Sequence, residues 1–102
     1  MTRHDALLCP VLAIRVPAAN GAYSLLVEEE LDPWIGRLTD AARYTMPANE
    51  TGLPAIALPA GRDADGLPLG VQLYGDFGRE DVLLRLAAQV ERREAVWECL
   101  PV

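Results

Sequence analysis

The sequence predicts a layered α/β unit. Three observations carry this reading: a near-continuous apolar run close to the N-terminus, a hairpin signal in the second half, and a strongly amphipathic helix after it. Their order is strand, helix, hairpin, helix, which suits helices layered on a sheet. A chain of 102 residues is one domain at most, or part of one. With 51% hydrophobic and 24% charged residues it has a globular composition. A core is expected, but a thin one.

The first element is the run Asp5 to Val16, DALLCPVLAIRV. A run without alternation predicts a strand covered on both faces. Pro10 cannot donate to a ladder, so it is placed at the strand's end. Pro17 to Gly21 reads as a loop. Leu25 to Ala42 reads as a helical stretch with a break at Asp32. There Asp32 is the expected N-cap and Pro33 the first helical residue of a main helix reaching about Tyr44. Trp34, Ile35, Leu38, Ala41 and Ala42 recur at helical spacing. Thr45 to Gly61, rich in Pro and Gly, predicts a shaped loop with one short strand, Ala55 to Leu58. Arg62 to Gly66 is a turn, and Asp65-Gly66 is a hairpin signal. Leu69 to Tyr74 is the partner strand, and Gly75 to Gly78 a connection. Arg79 to Arg93 is the clearest helix: Val82, Leu83, Leu86, Ala87 and Val90 form one apolar stripe, and Asp81 and Arg85 an i,i+4 pair.

Composition excludes several functions. The net charge is −6, a sign that repels phosphate and argues against nucleic acid and anionic membrane as partners. All nine basic residues are arginine, so the chain supplies no P-loop lysine, Schiff base or lysine general base. Cys9 and Cys99 form no CxxC pair or disulfide framework, which points to a reducing, cytoplasmic compartment. With His4 the sole histidine, no metal site and no cofactor are expected. The apolar run is too short for a membrane span and lacks the pattern of a signal peptide.

Candidate chemistry is sparse. Ser24, His4 and Asp5 make a triad in composition alone, and His4 with Cys9 a candidate thiol dyad. Against these stand a terminal position for His4 and a packing role for Cys9 inside an apolar strand. The run Glu28 to Glu30 reads as a solvated helix start, Asp63 and Asp65 as turn residues, and Trp34 and Trp97 as packing groups.

The segment Tyr44 to Gly61, YTMPANETGLPAIALPAG, resembles the C-terminal region of amidase signature hydrolases: an Asn, a Gly-Leu-Pro, a short aliphatic strand and a Pro-x-Gly. Asp65 to Leu73, DGLPLGVQL, is similar to the family's following strand, with its Gln after an aliphatic-Gly-aliphatic step. Glu80 to Ala87 resembles the closing helix, and Asp5 to Pro10 the strand that ends in Pro upstream. The resemblance implies the C-terminal part of an α/β/α sandwich with a mixed sheet. Residues 1–102 are then a single partial domain. It also implies hydrolysis of carboxamides by a Ser–cis-Ser–Lys triad. No catalytic position transfers, because the chain has no lysine and Ser24 is its sole serine.

What the resemblance does carry over is a pocket wall. The loop equivalent to Thr45–Asn49 approaches the acyl side of the substrate, which makes Thr45, Met46 and Asn49 the candidate substrate-binding residues. Asn49 and Thr51 have a rival role, tying the loop by side-chain hydrogen bonds. The expectation is an amidase-family portion inactive alone, completed by a separate N-terminal amidase portion that brings a small amide substrate. The alternative is a non-enzymatic homo-oligomeric interaction module, since a sheet cut from a larger core exposes apolar faces and edges. A self-contained thiol or serine hydrolase built on His4 is the third possibility.

Overall fold

The computed structural model describes residues 3–24 and 30–94. Its elements run β1 (Leu7–Pro10), α1 (Leu31–Ala41), α2 (Met46–Thr51), β2 (Ala55–Arg62), β3 (Pro68–Tyr74) and α3 (Glu80–Glu94). The strands form one sheet in the order β1-β3-β2. Both pairings are antiparallel, so the described strands do not include the parallel pair of the expected mixed sheet.

β3 is the organising strand. Pleating sends Val71 and Leu73 to one face and Gln72 and Tyr74 to the other. On the first face Val71 lies opposite Leu58, and Leu73 lies between Ile56 of β2 and Leu8 of β1. Helix α3 covers this face. Leu83 and Ala87 of its apolar stripe are buried, and Val82, Leu86 and Val90 are half-buried. A Cβ at Gly75 would lie 3.1 Å from Leu83 Cγ, so the absence of a side chain there lets α3 settle on the end of β3. Between α3 and the sheet an open cleft of about 410 Å³ remains, lined by Leu8, Leu58, Val71, Leu73, Leu86 and Val90 among others. At the start of the helix Asp81 accepts from Arg79 at 3.0 Å and from Arg85, the expected i,i+4 partner, at 3.1 Å.

The hairpin β2–β3 closes on Asp63. Its Oδ1 accepts the N–H groups of Asp65 and Leu67, both at 2.9 Å. Gly66 takes the left-handed conformation the turn needs, with φ 80°. β2 runs on to Arg62, past the expected end at Leu58, because a bulge between Pro59 and Gly61 absorbs the proline without ending the pairing.

Three expectations are corrected. The run Asp5 to Val16 is not a strand covered on both faces. Only Leu7–Pro10 is strand, it sits at the sheet edge, and Leu7 and Leu8 are 57% and 63% exposed. Pro10 does end it, as expected, and beyond it Val11 N–H and Ala13 N–H reach Gly70 O and Ala41 O instead of a ladder. Helix α1 begins two residues before Pro33, with Glu30 rather than Asp32 at the N-cap. A first-turn proline costs nothing there, because the N–H it lacks has no intrahelical partner. α1 also stops at Ala41, because Ala42 O is taken by Thr45 N–H, Met46 N–H and Thr45 Oγ1 together, turning the chain. Finally, Met46–Thr51 is not loop but a short helix, ended by Gly52 at φ 72°. The expected helical residues 25–29, along with Trp97 and Cys99, lie outside the described residues. No helix among the described residues is long and apolar enough to cross a membrane.

Leu83 is the most buried apolar residue among those described, 2% exposed. Leu83→Ala is expected to cost about 3 kcal/mol, read as a lower urea midpoint at unchanged slope.

Candidate functional site

The second face of the sheet carries the candidate site. Gln72 and Tyr74 project from it toward the junction of α1 and α2. Gln72 is 4% exposed and polar, so its amide must find partners. Nε2 donates to Pro10 O at 3.4 Å, to Tyr74 Oη at 3.2 Å and to Tyr44 O. The Tyr74 hydroxyl in turn donates to Tyr44 O. The carbonyl of Tyr44, which belongs to the peptide unit entering Thr45, thus accepts from both side chains of β3. Every buried side-chain nitrogen and oxygen among the described residues has a partner.

Beyond this triangle lies an apolar groove of about 400 Å³. β1 supplies Leu7, Leu8 and Cys9; the α2 region supplies Tyr44, Pro47, Thr51 and Leu53; Tyr74 lies at its base. α2 is pinned at its far end. Thr51 Oγ1 donates to Pro47 O at 2.6 Å and accepts from Leu53 N–H at 3.4 Å. Gly75 N–H then donates to Pro54 O at 2.9 Å, fastening the segment after α2 to the end of β3. Thr51 therefore takes the loop-tying role that the sequence leaves open.

The three sequence-predicted residues sit on this same segment. Thr45 is the N-cap of α2, half-buried, and its hydroxyl donates to Ala42 O at 3.1 Å. Met46 follows, half-buried, and Asn49 is exposed on the helix. The groove itself takes their neighbours Tyr44, Pro47 and Thr51. Sequence reasoning missed Tyr44, whose contribution is a backbone carbonyl. It also missed Tyr74, whose only signal was a polar tip at the end of an apolar strand. Cys9 lines the groove half-buried, whereas His4 and Asp5 are exposed ahead of β1. No group of three or more metal-ligating side chains occurs among the described residues.

Burial, followed by the nearby Cys9 thiol, raises the Tyr74 hydroxyl above its ordinary pKa. The Ala48 N–H and the Gln72 amide act in the opposite direction. The protonated form is therefore favoured by folding. Its contribution to stability is full below the ordinary tyrosine value of about 10 and is lost as pH rises through the higher folded value. Tyr74 is expected to titrate late in tyrosinate absorbance, and Tyr74→Phe should abolish that late step.

The family model Amidase matches residues 1–84. The 6-aminohexanoate-cyclic-dimer hydrolase of Paenarthrobacter ureafaciens is 54% identical over 90 residues, covering 85% of this chain and 18% of its own. A glutamyl-tRNA(Gln) amidotransferase chain from Thiobacillus denitrificans is 45% identical over 76 residues, covering 74% of this chain and 15% of its own. A solved structure of 6-aminohexanoate cyclic dimer hydrolase complexed with substrate superposes with a TM-score of 0.72 at 40% identity, over 86% of this chain and 19% of that one. The chain thus spans about a fifth of the length of the relatives it matches. With the family match running over most of its residues and its backbone superposing on a solved relative, the chain belongs to the amidase family.

Proposed function

We propose that this chain is the C-terminal portion of a carboxamide hydrolase, supplying scaffold and the acyl-side wall of the substrate pocket. In this reading Thr45, Met46 and Asn49 face the substrate. The antiparallel strands are part of a larger mixed sheet within an α/β/α sandwich. The attacking serine and the lysine that activates it come from a separate N-terminal portion, because this chain has no lysine.

One observation carries the reading. A chain without an ammonium general base matches a fifth of each amide-cleaving relative, and that fifth contains the wall segment Tyr44–Gly61. The scaffold's task is then steric. It holds the acyl group at a fixed distance from the nucleophile, and a positioning error of about 1 Å costs roughly two orders of magnitude in rate. The groove is apolar, which suits an aliphatic acyl chain better than a charged one. The name of the Paenarthrobacter relative, a hydrolase of a 6-aminohexanoate cyclic dimer, fits such a substrate.

A second reading rests on the exposed apolar surface. Leu7 and Leu8 on the β1 edge, Leu31, Ile35 and Leu38 on α1, and Leu84 on α3 are all exposed. Such a surface suits a homo-oligomeric interaction module as well as a missing amidase portion. The two readings part in light scattering: a module forms a stable oligomer alone, whereas a scaffold forms a complex only when its complementary portion is added.

The purified chain is expected to show no turnover of linear aliphatic amides in an ammonia-release or amine-release assay. When it replaces the matching fifth of the Paenarthrobacter hydrolase, the chimaera is expected to cleave the 6-aminohexanoate cyclic dimer within about tenfold of the parent kcat/KM, a loss of about 1.4 kcal/mol or less in transition-state stabilisation. A folded chimaera with no activity overturns the scaffold reading, as does turnover by the isolated chain that Ser24→Ala or His4→Ala abolishes.

A further inference from the structure

We propose that Gln72, acting with Tyr74 through the Tyr44 carbonyl, is the positioning residue that sets where the substrate-facing wall Thr45–Asn49 stands; this rests on the function proposed above. Four observations support it. Gln72 is the one buried polar side chain among the described residues, at 4% exposure. Its single amide nitrogen serves three acceptors on three separate segments: Pro10 at the end of β1, Tyr44 at the entry to α2, and Tyr74 on β3 itself. The nitrogen carries two hydrogens, so the three contacts share them, and the end of β1 and the α1–α2 junction must both be in place to satisfy it.

The third observation is the closed triangle. Gln72 Nε2 donates to both Tyr74 Oη and Tyr44 O, and Tyr74 Oη donates to Tyr44 O. Two donors converging on one carbonyl define its position rather than merely its distance. That carbonyl lies in the peptide unit immediately before Thr45, so displacing it displaces the start of α2. The fourth is that the other bonds at this end of α2, from Thr45 N–H, Met46 N–H and Thr45 Oγ1 to Ala42 O, tie it to α1 and not to the sheet. Helix α2 has six residues, no side chain capping its first N–H groups, and no buried residue. Its far end is fastened separately by Thr51 and by Gly75 on Pro54. The β3 side chains are therefore what holds the near end against the sheet.

The arrangement also accounts for Tyr74 remaining a donor. Its hydroxyl must be protonated to reach Tyr44 O, and the buried surroundings keep it so.

The test uses the chimaera described above with 6-aminohexanoate cyclic dimer as substrate. In Gln72→Leu the wall loses one of its two side-chain tethers to β3 while the apolar shape is roughly kept. KM is expected to rise at least threefold, with kcat per folded enzyme changing by less. A purely structural role predicts the reverse: fewer folded molecules, and an unchanged KM in those that fold. A KM less than threefold above that of the unsubstituted chimaera overturns the proposal. If Gln72→Leu does not yield folded protein, Tyr74→Phe, which removes one of the two donors to Tyr44 O, is read against the same threshold.

An inactive parent chimaera counts against the functional reading, and the positioning claim is then decided on the isolated chain by amide hydrogen exchange. Faster exchange in residues 46–52 of Gln72→Leu, with the β2–β3 hairpin unchanged, upholds the claim. Equal acceleration in both, or in neither, overturns it.

Discussion

A carboxamide buried in the middle strand of a sheet constrains everything around it. Gln72 cannot stay away from water without acceptors, and a lone buried amide would cost several kcal/mol. Its acceptors are backbone oxygens of β1 and of the α1–α2 junction, together with the Tyr74 hydroxyl. The fold is thus specified on one face by apolar contact with α3 and on the other by hydrogen-bond geometry. Apolar contact tolerates small displacements, whereas two donors meeting at one carbonyl do not. In the function proposed, this division of labour suits a wall that stands at a set distance from a reacting group supplied elsewhere.

Where the sequence was legible, local chemistry decided the outcome. The stripe of α3 and the pair Asp81–Arg85 follow from helical periodicity alone, and both are found. The hairpin follows from Asp and Gly at positions where the chain must turn, and Asp63 closes that loop with its own carboxylate. The family was legible by resemblance, because Tyr44–Gly61 carries a pattern of Asn, Gly and Pro that periodicity does not explain.

What escaped was settled by position in space. An apolar run reads alike whether one neighbour covers it or two, so β1 has the sequence of an inner strand and the place of an edge strand. Helix α2 is too short for a period to show. Its Pro47 and Gly52 punctuate its start and end, but three prolines and two glycines nearby also describe a loop. The central member of the polar triangle escaped for another reason. Tyr44 contributes its carbonyl, and no reading of side chains ranks a backbone oxygen.

The strand order β1-β3-β2 has kinetic weight. β2 and β3 are neighbours in the chain and can close as a hairpin around Asp63 at little entropic cost, whereas Pro10 and Gln72 are 62 positions apart. By chain separation alone, closing the hairpin costs less entropy than forming the long-range contacts of β1. Until those contacts form, the amide of Gln72 stays hydrated, so its dehydration accompanies the joining of β1 rather than the closing of the hairpin.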